Sequence, residues 1–513
     1  MARAKKAAAN APPPTTAQRL GSLLKSARDI MRKDKGLNGD LDRLPLLTWL
    51  MFLKFLDDHE ADAETKAKLS RKPFRPAIDP PYRWRDWALK DDFAGENLIK
   101  FVSLEDTLLP DKKKGLGLIP YLRSFFGSAD PKRRVIGEVF SGVTNRMESG
   151  VLFWDLVSKV NGIHFGASEE IHTLGHLYES LLKEMRDAAG DSGEFYTPRA
   201  VVRFMVQALN PRLGETVLDP AAGTGGFLVE TFAHLKQQTK KATEIDTLQN
   251  RSIFGQEAKP LPYMLCQMNL LLHGLDAPQI TKGNSLDVKI AELGDDERVD
   301  VILTNPPFGG EEERGIQDGF PADKRTSETA LLFLQLIMRR LRKSPKPGRA
   351  AVVVPNGTLF GDGVCGRIKH ELLTSFNLHT IVRLPNGVFA PYTSIPTNVL
   401  FFDRSGPTAD VWYYELPPPE GRKNYTKTAS IPFEAFADCL AWWPKRKETE
   451  QAWRVPASEL IAANCNLDRK NPNAKADAEH LPPEELVASI LAKEAKIAAI
   501  VSEIKTLLAG AAK

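Results

Sequence analysis

The rhythm of apolar positions along the chain changes near residue 190. Before that point apolar residues recur at three- and four-residue steps, the period of a helix. Residues 17–62 read as helical, with a break at Asn38-Gly39-Asp40. The densely apolar run LDRLPLLTWLMFLKFLDDHEAD follows, with Leu46, Leu50, Leu53 and Leu56 near helical spacing and Pro45 suited to the first turn. An irregular stretch rich in Pro and Trp occupies 75–97, and helical patterns return over 98–125, 131–147 and 168–187.

From 190 onward, short β-rich apolar runs alternate with helical ones. Strands are expected at 216–218, 252–255, 299–304, 350–354, 378–384 and 397–402, with helices at 198–209, 224–240, 261–273, 326–343 and 365–375. Such alternation implies an α/β fold, a mostly parallel sheet covered by helices on both faces. The expected organisation is a disordered tail at 1–16, a mostly helical domain at 17–187, the α/β domain at 188–410, a mixed extension at 411–482 and a C-terminal helix at 483–513. In that helix Val487, Ile490, Ile497, Val501, Ile504 and Leu508 fall at three- and four-residue steps, interrupted by Glu494. Two readings stay open: a helix packed on its own domain, or a two-strand coiled-coil contact with a partner.

Composition adds exclusions. Among 513 residues, 42% are hydrophobic and 26% charged, ordinary for a soluble chain with a substantial core. No run of 18 apolar residues suggests a membrane span. The start, MARAKKAAANAPPPTTAQ, lacks the apolar segment of a secretory signal. Cys266, Cys365, Cys439 and Cys465 form no CxxC pair, which argues against disulfide and zinc frameworks and suits a reducing cytoplasm. A net charge of +4 is compatible with a basic face but does not establish nucleic-acid binding.

Five segments carry candidate chemistry. In TVLDPAAGTGGFL a strand ends at Asp219, and Gly223, Thr224, Gly225 and Gly226 turn into a helix. Residues without Cβ let the backbone approach a ligand closely. Asp219 would repel an anion, so the turn suits a methyl donor better than a phosphate. Glu257 ends the next expected strand, where an acid can bind both hydroxyls of a ribose. Asp287, in GNSLD, is placed to accept from the donor's adenine amine, although Gly-Asn-Ser is also plain turn chemistry. Asn305-Pro306-Pro307-Phe308 directly follows the apolar run VDVILT. The Asn305 side-chain oxygen and the Pro306 carbonyl can each accept one N–H of a planar exocyclic amine, whose lone pair is otherwise delocalised into its ring. Phe308 can stack on a base that has left the duplex. In GEFYTPRAVVRFM, Thr197-Pro198 opens a helix, and Phe195 and Tyr196 are placed either to cover the donor or to pack in the core.

These residues occur in the order seen in γ-type amino-methyltransferases. The chain further resembles the modification subunit of type I restriction–modification systems in LTWLMFLKFLDDHE, in LYESLL before EFYTP, in TSIPTNVLFF near 400 and in NCNLDRKNP near 464. The resemblance covers roughly residues 20–475. It implies a Rossmann-like class I methyltransferase domain, S-adenosylmethionine contacts from Glu194 to Arg199, from Thr224 to Gly226 and at Glu257, and a target adenine held by Asn305 to Phe308. It also implies double-stranded DNA with a flipped adenine as substrate. The implied partners are a specificity subunit bound by two modification subunits and a translocating restriction subunit. The sequence fits this division of labour: there is no long second domain after 402 for base readout, and no GxxxxGK[ST] loop for an ATP-driven motor.

Cytosine C5 methylation needs a cysteine nucleophile, usually after proline, and no cysteine here follows one. N-methyltransfer to RNA guanine or a protein glutamine presents the same planar amine and is the nearest enzymatic alternative. Asp219 with Glu257-Ala258-Lys259 superficially matches a metal-dependent nuclease, but that leaves the glycine turn and Asn305–Phe308 without purpose; no metal is expected. A catalytically inactive scaffold in a DNA-recognition complex is the alternative of another class.

Overall fold

The computed structural model describes residues 16–163, 197–473, 487, 491 and 493–502, apart from positions 72, 89, 91, 92, 391, 392, 394 and 427. Glu194, Phe195 and Tyr196, the expected helix at 168–187 and the tail before Thr16 lie outside the described residues.

The first part is helical, built on α1 (Thr16–Met31), α2 (Asp40–Leu69), α3 (Glu96–Ser103), α4 (Pro131–Phe140) and α5 (Gly150–Asn161). Thr48 through Phe55 of α2 are all buried, the signature of a helix at the centre of its domain. Its Trp49 meets Phe140 and Phe153, its Phe52 meets Phe140, and the buried Lys54 is paired with Asp58. Two expectations are corrected. α2 begins at Asp40, so Pro45 lies inside it; the N–H groups of Asp42 and Arg43 donate to the Gly39 carbonyl and start the helix early. The expected helix over 98–125 is interrupted by a hairpin of β1 (Thr107–Leu108) and β2 (Lys114–Gly115), turned at Lys112 with φ 68°.

The second part is a sheet of nine strands: β3 (Val217–Asp219), β4 (Ile253–Glu257), β5 (Gln279–Lys282), β6 (Val301–Thr304), β7 (Arg349–Pro355), β8 (Asn377–Arg383), β9 (Thr397–Asp403), β10 (Asp410–Glu415) and β11 (Ala452–Pro456). Their order is β11-β10-β8-β9-β7-β6-β3-β4-β5. The run β7-β6-β3-β4-β5 is parallel, β9 is inserted antiparallel between β7 and β8, and β11 caps the edge antiparallel to β10.

Strand alternation sends successive residues to opposite faces. Ala351, Val353, Val399 and Phe401 pack with α6 (Arg199–Leu209), α7 (Gly226–Lys236) and one side of α8 (Pro260–Leu272). Ala350, Val352, Leu400 and Phe402 pack with α9 (Thr329–Arg340) and α10 (Val364–Ser375). The expected α/β class with both faces covered is what forms. The expected end of this unit at 410 is too early, because β10 and β11 extend the sheet to Pro456, with Val411, Tyr413 and Val455 in its core.

α8 joins the two parts. Tyr263, Cys266 and Leu270 belong to the sheet's core, whereas Met264, Leu265 and Met268 are packed in the helical domain's core. The Tyr263 hydroxyl donates to Glu138 of α4 at 2.7 Å and accepts from Gln267 Nε2 at 2.9 Å. Toward the end of the chain the described residues from 487 to 502 are helical, with Val487, Leu491, Ile497, Ile500 and Val501 exposed. Among the described residues no helix is long and apolar enough to cross a membrane.

Candidate active site

In an open parallel sheet, ligands bind outside the carboxyl ends of the strands. Here the neighbouring strands β4, β3 and β6 end on Glu257, Asp219 and Thr304-Asn305. Sequence segments far apart thus deliver their polar residues to one rim.

Asp219 is 1% exposed. Its Oδ1 accepts from the Thr304 hydroxyl at 2.7 Å and from the Ala221 N–H at 3.1 Å. Burial pushes its pKa up to about 7, with the charge of Glu257 adding and the Thr304 and Ala221 donors opposing. Asp219 therefore ties β3 to the end of β6 and sets the start of the turn.

Within the turn, Gly223 and Gly225 have φ of 54° and 80°, left-handed conformations that favour glycine. A Cβ on Gly225 would lie 2.9 Å from Cys266 Sγ. Side chains from outside the turn bond its carbonyls. Asn269 Nδ2 donates to the Thr224 carbonyl at 2.9 Å, and Arg199 Nη1 donates to the Gly226 carbonyl at 3.1 Å.

Glu257 Oε2 accepts from the Gly223 N–H and Oε1 from the Lys259 N–H, both at 2.8 Å. Burial raises its pKa, while these backbone donors work the other way. Glu257, Pro220 and Ala221 at the start of the turn, Asn284, Ser285 and Pro307 border a cleft of about 280 Å³. A larger groove of about 860 Å³ lies between α4 and β5 and holds none of the motif residues, so size does not identify the site.

Asn305 sits at the mouth of β6. Its Nδ2 donates to the Thr197 hydroxyl at 3.0 Å. Its Oδ1 is buried and has no hydrogen-bond partner among the described residues. Leaving a buried acceptor unpaired costs about 1–3 kcal/mol, so the geometry presents an acceptor ready for an incoming N–H. Pro306 is buried, Pro307 faces the cleft, and the Phe308 ring meets Phe389 edge-on at 5.9 Å.

The fold brings Thr197, Pro198, Arg199, Asp219, Gly223, Thr224, Gly225, Gly226, Glu257 and Asn305 to Phe308 to this rim. Asp287 is exposed and does not line the cleft, two residues beyond Ser285, which does. Asn284 Oδ1 accepts from the Leu286 N–H, a turn that leads the chain away. Ser285 stands at the cleft instead, its hydroxyl donating to the Pro220 carbonyl at 2.6 Å. Sequence reading missed Asn269, Ser285 and Phe389. For Asn269 a signal existed: it is one of two amides, with Gln267, in the otherwise apolar run MLCQMNLLL.

Residues 169–480 match the family model described as N-6 DNA Methylase, and residues 20–107 match the HsdM N-terminal domain. The chain is 44% identical over 501 residues to the EcoEI type I restriction enzyme methylase subunit of Escherichia coli, covering 96% of this chain and 98% of that one. It is similar in structure to a protein described as a modification subunit of a type I restriction enzyme from Vibrio vulnificus YJ016. The TM-score is 0.85 at 60% identity, over 92% of this chain and 100% of that one. A chain from structural work on assembly and conformational transition of the type I restriction–modification system aligns with TM-score 0.74 at 40% identity, over 96% and 99% of the two chains.

Proposed function

The chain belongs to the N-6 DNA methylase family, among the methylase subunits of type I restriction enzymes. On that premise we propose that it transfers a methyl group from S-adenosylmethionine to N6 of adenine in a specific DNA sequence, as the modification subunit of a larger complex. The observation that carries this reading is the buried Oδ1 of Asn305, without a hydrogen-bond partner among the described residues, beside a glycine turn clamped by a carboxylate.

The residues fit the donor: S-adenosylmethionine, when bound, supplies a methyl group on a sulfonium. Glu257 offers its remaining lone pairs to ribose hydroxyls, the turn it pins at Gly223 carries no side chain there, and Asn284 and Ser285 line the cleft beside Glu257. Toward the target, Thr197 fixes the Asn305 amide with its nitrogen turned away, so the oxygen faces the amine. Accepting one N–H at Oδ1 and another at the Pro306 carbonyl draws the amine nitrogen out of conjugation and aims its lone pair. Phe308 stacks on the flipped base, and Phe389 backs it.

In this reading a specificity subunit reads the sequence, two modification subunits bind it, and a restriction subunit joins them. The structural work on type I assembly that aligns with this chain supports such a complex. The exposed apolar residues of the last helix support docking to the specificity subunit.

Methylome sequencing of a host with and without the gene tests the reaction. N6-methyladenine at one recurrent sequence should disappear with the gene; an unchanged adenine methylome refutes the reading. Truncation at residue 482 should leave a donor-binding chain that no longer co-purifies with its specificity subunit, and retained assembly refutes the docking role.

A further inference from the structure

TSIPTNVLFF near 400 and NCNLDRKNP near 464 lie apart from the residues gathered around Asn305 and Glu257. The fold joins them. Asn398, at the start of β9, is 2% exposed and donates Nδ2 to Asn356 Oδ1 at 3.1 Å. Asn356, which follows β7, donates to Asp468 Oδ2 at 3.5 Å. Arg383, which ends β8, donates to Asp468 Oδ1 at 2.8 Å and to the Arg469 carbonyl at 2.6 Å. Asn356, Arg383 and Asn398 border a cleft of about 500 Å³ that also holds the exposed Asn386 and Lys423 and the carboxylate of Glu415.

This cleft opens at the strand rim that carries Asn305. The order β8-β9-β7-β6 puts β9 two strands from β6, about 10 Å at 4.8 Å per strand. In DNA that is about three base steps at 3.4 Å each. The loop from β8 to β9 belongs to both sites: it carries Asn386 at the cleft and Phe389 against Phe308.

Carboxamides present a donor and an acceptor side by side, the pattern that matches base edges, and an exposed lysine suits a phosphate. We propose that this cleft holds the DNA flanking the target adenine, within about three base steps, with the exposed Asn386 carboxamide on a base edge and Lys423 on a phosphate. The proposal rests on the reading that the substrate is DNA. A network of Asn398, Asn356, Asp468 and Arg383 preorganises the floor, so the two segments serve one surface.

The test uses the chain assembled with its specificity subunit and a duplex carrying the sequence found in the methylome. 5-Iododeoxyuridine is placed at each position within three steps of the target adenine and irradiated. Cross-links should map to residues 383–398 or 415–423, and cross-links only elsewhere would overturn the proposal. The double variant Asn386→Ala, Lys423→Ala changes two exposed side chains. It should raise the KM for DNA about tenfold and leave the KM for donor and the melting temperature unchanged. An unchanged KM for DNA overturns the proposal, as does loss of the specificity subunit, which would make the cleft a protein interface. Where the methylome shows no recurrent methylated adenine the functional reading fails, and a random-sequence duplex pool carrying 5-iododeoxyuridine reads the cleft instead: cross-links at residues 383–398 or 415–423 keep it, and cross-links only elsewhere overturn it.

Discussion

The backbone N–H of Gly223 donates a 2.8 Å hydrogen bond to Glu257 Oε2, so the acid expected to hold the donor's ribose also pins the turn that admits the donor. Hydrogen bonds to a charged group are worth about 1.5–3 kcal/mol. Glu257→Gln keeps the size and removes the charge. Its donor dissociation constant should rise about 10- to 100-fold, with turnover at saturating donor near the wild-type rate. Titration calorimetry showing wild-type affinity would remove Glu257 from the donor site.

Asn305→Ala should lower turnover by about 10²–10³, the usual effect of losing one preorganised polar contact, while donor affinity is retained. Thr197→Val frees the Asn305 amide to rotate and should cost about five- to tenfold in rate. Single-turnover kinetics at saturating donor measure both, and a wild-type rate in Asn305→Ala would be incompatible with the assignment.

Burial holds Asp219 protonated up to about pH 7, against an ordinary value of 3.8. Between those values the native chain binds more protons than the unfolded one, so the contribution of Asp219 to stability falls as pH rises from about 4 to about 7. Asp219→Asn is neutral throughout. The melting temperature of wild type relative to this variant should therefore be most favourable near pH 4 and decline toward pH 7; a constant difference would contradict the raised value.

Tyr263→Phe removes one hydroxyl from the contact between α4 and α8. Gln267 is fully buried and would lose the acceptor of its Nε2. A loss of about 1–3 kcal/mol in urea unfolding is expected. An unchanged midpoint would show that the hydroxyl contributes nothing to joining the two parts.

What the sequence shows and hides has physical causes. Asp219, Glu257 and Asn305 are legible because a buried strand is an unbroken apolar run and its end is where polarity returns; β6 is buried at all four positions. β5 escaped notice because only Ile280 of Gln279–Lys282 is buried, as befits a short edge strand. β10 and β11 escaped because they follow turn-rich sequence and pair only with each other and β8. The antiparallel insertion of β9 has no local signature, because strand order is a property of long-range pairing. The bond from Asn305 to Thr197 spans 108 residues, and no spacing rule announces it. At Asp287 a turn motif and a ligand contact share the same residue types, so the sequence leaves both readings open.

α8 has residues in two cores, and this limits how the chain can be recombined. A fragment beginning at α6 would carry Met264, Leu265 and Met268 without the residues that cover them. A chimera between relatives, joined at the boundary between the helical part and the sheet, would inherit one side of α8 from the wrong parent. The compatible crossover is set by three side chains in the middle of the sheet domain, so the two parts are expected to have travelled through evolution as a matched pair.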